Sequence, residues 1–245
     1  MTASITVSLV SHGHGAMVAR LVAQLCAVPD VAKIVLTLNI PEQLALEEDE
    51  RLHIIRNPTP QGFGANHNAA FKHCQTRYFC VINPDVTLQG DVFAPLLACM
   101  SDFDAALGAP LVCSPAGTQE DSIRSFPTVG GLILKVLGMD NGSYAPAKRH
   151  VSFSPDWVAG MFMLFENSAY ASLGGFDEKF FLYYEDVDMC ARLWESGRKV
   201  VACTAVHVVH DAQRASRRNL RFLLWHASSM LRYFFKHAGR SPRTG

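Results

Sequence analysis

Four short apolar runs, Ile5–Val10, Ile34–Leu38, Leu52–Ile55 and Tyr78–Ile82, each end on polar or turn-forming residues. The endings are Ser11-His12-Gly13, Asn39-Ile40-Pro41, Asn57-Pro58-Thr59-Pro60 and Asn83-Pro84-Asp85. Runs of this length, rich in β-branched residues and bounded by turn formers, predict buried strands. Met17, Val18, Leu21, Val22 and Leu25 recur at helical spacing after the first, and a second helix is expected over about 65–74. Strands alternating with helices imply an α/β architecture around a mostly parallel sheet. Such sheets bind ligands beyond the carboxyl ends of their strands, so Ser11, Asn39 and Asn83-Pro84-Asp85 are expected to line one cleft.

The second half is less regular. A strand is expected within 104–112, then a long connection over 114–155 with a short apolar helix at 132–137. A strand over 157–165, a helix over Glu185–Glu195 stopped by Gly197, two short strands at 199–203 and 206–209, and a tail helix over 215–237 follow. The 245 residues suit one sizeable core, read as one domain with two functional halves.

Seven cysteines, with no Cys-x-x-Cys pair and mostly inside apolar runs, read as buried thiols rather than a disulfide frame or zinc site. No signal peptide and no spanning segment is apparent, which points to the cytoplasm. Net charge is zero but unevenly placed. Beyond Asp211 there is no acid, and eight of the 22 Lys and Arg stand there, leaving 14 against all 22 Asp and Glu elsewhere. A basic tail on an acidic body hints at contact with an anionic surface, with an ordinary solvated helix as the alternative.

Three constellations carry chemistry. An acid directly after a buried strand, such as Asp85, can hold Mg²⁺ or Mn²⁺, which takes further ligands from phosphate oxygens. The loop Gln61-Gly62-Phe63-Gly64, running into a helix with Asn68, can bring backbone close to an anionic ligand. It is not a dinucleotide fingerprint: the third glycine would stand at His67, and for Gly13-His14-Gly15 at Val18. The third stretch, Gly174 to Asp188, mixes five acids with large apolar residues. Within it Glu185 and Asp186 follow an aromatic run able to exclude water and tune a general base. Asp188 and Arg192 read as an i, i+4 ion pair. His210 closes a strand and is a candidate further ligand; His67, His73 and His226 read as packing or surface residues.

In order and spacing these motifs resemble family 2 glycosyltransferases of the GT-A fold, especially bacterial rhamnosyltransferase-like members, over about residues 5–216. The resemblance rests on the opening strand, Asn57 with Gly62-Phe63-Gly64 and Asn68, Asn83-Pro84-Asp85-Val86, Gly160, and Gly174 through Arg192, closed by His210 and Ser216. It implies a GT-A domain over 1–214, with a nucleotide-sugar-binding half at 1–112 and an acceptor and catalytic half at 113–214. A basic amphipathic helix would follow over 215–245.

The resemblance further implies Asp186 as base, with Glu185 beside it. It implies a donor site of Ser11, Asn39, Gly62, Phe63, Gly64, Asn68, Asn83 and Asp85, and an acceptor site of Trp157, Gly160, Asp177 and Tyr183. The divalent cation would lie on Asp85 and His210. The implied reaction is inverting transfer of a sugar, with rhamnose a candidate, from a nucleoside-diphosphate donor to a glycan or lipid-linked acceptor in cell-surface polysaccharide synthesis. No nucleic acid is implied. The tail helix is a candidate peripheral contact with the inner face of the plasma membrane, or a homodimer contact.

Two positions depart from the family pattern. Thr37 through Glu42 replaces the usual Asp-Asn-x-Ser-like element, and Asn83 stands where the metal motif has its first Asp. Two rival functions are a sugar-nucleotide pyrophosphorylase, whose first loop would carry Lys or Arg, and a non-catalytic assembly subunit on the same fold.

Overall fold

A computed structural model describes residues 4–128, 130, 131, 144, 152–211 and 220–238. One eight-stranded sheet organises them. In chain order the elements of its first half are β1 (Ile5–Ser11), α1 (Ala16–Cys26), β2 (Val31–Leu38), β3 (Leu52–Arg56), α2 (Phe63–Phe71), β4 (Tyr78–Ile82), β5 (Val86–Leu88), α3 (Phe93–Phe103) and β6 (Ala105–Cys113). Then come β7 (Ile123–Arg124), β8 (Trp157–Val158), β9 (Phe162–Glu166), α4 (Asn167–Ser172), α5 (Glu185–Glu195), β10 (Lys199–His210) and α6 (Leu220–Lys236).

The strand order is β3-β2-β1-β4-β9-β6-β10-β5, with β7 and β8 forming a separate pair. Every neighbour pair is parallel except those made by β9 and β5, so the sheet is mostly parallel. The register sets Ser11 beside Leu38 and Leu38 beside Arg56, with Leu9 opposite Ile82. The four polar endings therefore share one edge, as the sequence predicts. β9 stands between β4 and β6, so the two halves of the chain build one sheet.

Alternating strand residues divide between two faces. Ile5, Val7 and Leu9 pack with Val18, Leu21 and Leu25 of α1 and with Phe93 and Leu96 of α3. On the other face Phe79, Val81 and Phe165 pack with Tyr170 of α4, Phe176, and Met189, Cys190 and Leu193 of α5. All seven cysteines are free thiols, and Cys80, Cys99, Cys190 and Cys203 are buried.

The structure corrects several expected elements. The strand expected over 157–165 is broken at Ala159-Gly160-Met161, leaving β8 and β9 in different sheets. The two strands expected at 199–203 and 206–209 are one strand, β10, whose register against β6 shifts between Cys203 and His207. β5 and α3 were hidden by their short or uniformly apolar sequences, which carry little periodicity. The helix expected at 132–137 and the start of the tail helix lie outside the described residues.

Asn68 clasps α2 to the Gly174-Gly175 turn. Its Oδ1 accepts from the Phe176 N–H at 2.9 Å and the Tyr170 hydroxyl at 2.7 Å, and its Nδ2 donates to the Phe176 carbonyl at 2.9 Å and to Glu178 at 3.0 Å. Gly175 has φ +75°, and a Cβ there would strike the Asn68 side chain. Gly175→Ala is expected to cost about 3 kcal/mol, combining a left-handed backbone with overpacking. Denaturant unfolding checks this; a change under about 0.5 kcal/mol would contradict it.

Candidate active site

The first corner is built by β5 and β10. β5 begins directly after Asp85 and pairs antiparallel with the end of β10, setting Val86 opposite His210. The Asp211 N–H donates to the Asp85 carbonyl at 3.0 Å. This brings the two side chains together: His210 Nε2 lies 3.2 Å from Asp85 Oδ2, and its Nδ1 lies 2.7 Å from Glu120 Oε2. Burial works against charge on the ring, but the two carboxylates outweigh it and raise the pKa of His210. Glu120 carries no sequence signal beyond its charge, and lies in the connection after β6.

Asp85 Oδ1 is buried without a hydrogen-bond partner. A buried carboxylate oxygen left bare is costly unless something else completes it. Among the described residues no group of three or more His, Cys, Asp or Glu side chains is arranged to hold an ion by itself. One carboxylate and one imidazole suit a cation that takes its remaining ligands from phosphate and water, so the residues present fit Mg²⁺ or Mn²⁺. Glu120 on the far nitrogen of His210 would then orient the ring as metal sites commonly require.

The second corner holds the paired carboxylates at the start of α5. Asp186 Oδ2 accepts the Gly160 N–H at 3.0 Å, and its Oδ1 accepts the Val187 N–H at 2.8 Å. Glu185 is buried, and its Oε2 has no hydrogen-bond partner. Burial raises the pKa of both groups; the Asp186 charge pushes Glu185 up further, while backbone amides hold Asp186 back. Asp186 is thus the member of the pair that ionises more readily. The preceding Tyr183 and Tyr184 both have left-handed backbone, at φ 69° and 67°, where bulky residues are rare. Strain of this kind concentrates at functional sites.

The break between β8 and β9 joins the corners. The Asn83 N–H donates to the Met161 carbonyl at 2.9 Å, while the neighbouring Gly160 N–H holds Asp186. The Ala159 N–H donates to the Ser122 carbonyl at 2.8 Å. A Cβ on Gly160 would sit 3.1 Å from Phe63 Cζ and 3.8 Å from Asp186 Cβ. Gly160, expected as an acceptor contact, therefore orients the Asp186 carboxylate, with Phe63 packed beside it.

The loop expected at the donor is fixed from within. Asn39 Oδ1 accepts from Asn57 Nδ2 at 2.9 Å and from the Gln61 N–H at 2.8 Å, and Asn39 Nδ2 donates to the Gln61 carbonyl at 3.0 Å. The amide of Asn39 therefore holds the 57–61 loop. The Phe63 N–H donates to the Phe181 carbonyl at 2.9 Å. Cβ atoms on Gly62 and Gly64 would come within 2.7 Å of Phe181 O and Phe176 Cβ. These glycines and Asn68 thus join the loop to the Phe176–Phe181 segment through contacts inside the protein. Ser11 Oγ accepts the His14 N–H at 3.3 Å in the turn after β1.

Glu42 was not foreseen: its carboxylate accepts the Gly13 and Gly15 N–H groups, each at 3.3 Å, at the start of α1. It occupies the anion-favouring amides at that helix start. His67 is a core residue as expected, bonded to Ser8 Oγ at 2.7 Å and held neutral by burial, its pKa lowered to about 3.

Of the residues expected at the acceptor, Trp157 Nε1 donates to the Ser125 carbonyl at 2.9 Å, and Asp177 Oδ2 pairs with Lys236 at 2.7 Å. Asp188 does pair with Arg192, at 2.8 Å, but it is fully buried and also meets Lys236 Nζ at 2.8 Å and His237 Nε2 at 2.9 Å. The tail helix thereby reaches α5, a link without local sequence signal.

A carboxyl with a raised folded pKa binds its proton more tightly folded than unfolded. Its contribution to stability is full below the ordinary value of 4.5 and is lost as pH climbs through the raised one. Glu185→Gln mimics the neutral form. Between about pH 5 and pH 8 the melting temperature of this variant is expected to fall less than that of the wild type; parallel curves would contradict a raised Glu185 pKa.

A family model described as Glycosyl transferase family 2 matches residues 36–135. The rhamnosyltransferase WbbL of Escherichia coli K12 is 28% identical over 239 residues, which is 92% of this chain and 90% of that protein. The N-acetylglucosaminyl-diphospho-decaprenol L-rhamnosyltransferase of Mycobacterium tuberculosis is 31% identical over 176 residues, 66% of this chain and 57% of its own length. Among solved structures, GalNAc-T7 with UDP, GalNAc and Mn²⁺ superposes with TM-score 0.70 at 15% identity, over 88% of this chain and 44% of that one. The mannosyltransferase PcManGT of Pyrobaculum calidifontis, in complex with GDP-Man and Mn²⁺, gives 0.60 at 14% identity, over 94% and 64%. The fold is therefore GT-A, and the chain is similar to family 2 glycosyltransferases, over residues 36–135 by the family model and over most of its length to rhamnosyltransferases.

Proposed function

We propose that the chain catalyses inverting transfer of a sugar from a nucleoside-diphosphate donor to a hydroxyl of a glycan or lipid-linked acceptor, in cell-surface polysaccharide synthesis at the cytoplasmic side of the membrane. The names of the relatives make rhamnose the first sugar to test. The observation that carries the reading is the turn at residues 159–161, which grips Asn83 beside Asp85 with one residue and Asp186 with the next.

Asp186 takes the proton of the acceptor hydroxyl as its oxygen bonds to the anomeric carbon. The bond from that carbon to the diphosphate oxygen breaks, and the nucleoside diphosphate leaves on the opposite face. Gly160 and Val187 amides keep the Asp186 carboxylate oriented, and the strained Tyr183-Tyr184 pair fixes the start of its helix. Asp85 and His210 would hold the divalent cation, which supplies charge neutralisation for the departing diphosphate. Trp157, Asp177 and Tyr183 stand on the acceptor side, and Ser11 on the nucleoside side; Asn39, Gly62, Gly64 and Asn68 serve by shaping the walls.

Thermal-shift titration with a panel of nucleoside diphosphates and their sugars, with Mn²⁺, with Mg²⁺ or with chelator, followed by a transfer assay, tests the reading. Metal-enhanced stabilisation by one nucleotide and its sugar is expected, with product only when acceptor is added. Turnover of a sugar phosphate with a nucleoside triphosphate would favour the pyrophosphorylase alternative, and no turnover on any donor the non-catalytic one.

A further inference from the structure

Six large hydrophobic side chains are exposed among the described residues, and five of them lie on α6: Leu220, Leu223, Leu224, Leu231 and Phe235, at 54–82% exposure. The sixth, Phe181, packs its ring 4.7 Å from Trp225 of the same helix. Positions 220, 224, 231 and 235 recur at helical spacing and so form one stripe. A stripe of this size, left in water, is unusual for a monomer.

We propose that this face of α6 docks in the plane of an anionic lipid surface. The helix has 17 residues, about 25 Å at 1.5 Å per residue, and no helix among the described residues is long and apolar enough to cross a membrane. An amphipathic helix of this kind lies flat, its apolar stripe among the acyl chains and its cations at the headgroups. Charge selects the occupant. α6 carries Arg221, Arg232 and Lys236 and no acid, and no acid follows Asp211 anywhere in the chain. Two copies laid stripe to stripe would bring these cations towards one another, whereas an anionic bilayer supplies the opposite sign.

A cleft of about 580 Å³ opens beside the stripe, lined by Asp177, Lys179, Ser228, Arg232, Phe235 and Lys236. Lys236 is committed to Asp177 and Asp188. Lys179 and Arg232 beside the apolar Phe235 match a phospholipid headgroup at the start of its chains.

The inner face of the helix is fastened to the catalytic segment. Ser229 Oγ donates to the Leu182 carbonyl at 2.9 Å, Tyr233 packs 5.6 Å from Tyr184, and Lys236 and His237 hold Asp188. Docking therefore brings the segment that carries Asp186 to the bilayer surface. That last step rests on the transfer reading above; the docking itself does not.

Co-sedimentation of the full chain with phosphatidylcholine vesicles, with and without one quarter phosphatidylglycerol, tests the proposal. Binding at least tenfold stronger to the anionic vesicles is expected. The double variant Leu224→Ser/Phe235→Ser, at exposed positions that leave the fold intact, should bind at least tenfold more weakly while transferring to a water-soluble acceptor at the wild-type rate. Arg221→Glu/Arg232→Glu should lose the preference for anionic vesicles. Equal binding to both vesicle types, or undiminished binding by Leu224→Ser/Phe235→Ser, would overturn the proposal. So would a dimer in light scattering that this variant dissociates while no vesicle binding is seen, which would assign the face to a second copy. Metal-enhanced nucleotide binding, measured on the same samples, reports separately on the transfer reading.

Discussion

Asp186→Asn is expected to lower kcat about 1,000-fold while donor binding stays within about twofold of wild type. The factor is that of a positioned general base, about 10²–10⁴. Asn keeps the shape of Asp and one acceptor oxygen, so it can still accept one of the Gly160 and Val187 amides that hold the carboxylate. What it loses is the capacity to take a proton. Donor binding is spared because the Asp85 corner is built by β4, β5 and β10, with no bond to the Asp186 side chain. Steady-state transfer with isothermal titration of nucleoside diphosphate checks both halves. A kcat within tenfold of wild type would remove Asp186 from the chemistry, and Glu185→Gln would become the next variant to test. The wild-type rate should also fall on the acid side at a pH above the ordinary carboxylate range, because burial raises the pKa of Asp186 and only the ionised form is a base.

Asp85→Ala is expected to weaken nucleoside diphosphate binding about 100-fold in the presence of Mn²⁺ or Mg²⁺, and to leave it unchanged in chelator. The variant removes the buried oxygen that lacks a partner and the only carboxylate in contact with His210 Nε2 among the described residues. A cation held by one carboxylate and one imidazole has little left when the carboxylate goes. The fold should survive, since Asp85 is fixed through its backbone to Asp211. Equal loss with and without metal would mean that Asp85 acts on the nucleotide directly or through loop structure.

Much of the frame was legible because it is local. Four apolar runs with polar endings predicted β1 to β4 and the shared edge, and the acid-rich start and Gly197 bounded α5 at its observed limits. What escaped reading depends on partners far along the chain. Gly160 was singled out, yet its duty as donor to Asp186 emerges only when the strand breaks and residues 160 and 186 meet. Glu120 is one acid in a long connection until β5 and β10 carry His210 to it.

Asn39 and Asn68 have the residue type of ligand contacts, and in the fold Asn39 also holds the 57–61 loop while Asn68 holds the turn at Phe176. Asp188 read correctly as an i, i+4 partner of Arg192, while its further partners Lys236 and His237 arrive from the other end of the chain. The same dependence explains β5: three residues carry no periodic signal, yet their pairing with β10 is what assembles the Asp85 corner.

The central claim is that Asp85 and Asp186 serve one displacement on one sugar. The most direct measurement is the anomeric configuration of the product, read by proton NMR after transfer from a donor of known configuration. A single base facing the acceptor predicts a product of opposite configuration to the donor, formed by the wild type and lost with Asp186→Asn. A product that keeps the configuration of the donor would contradict it.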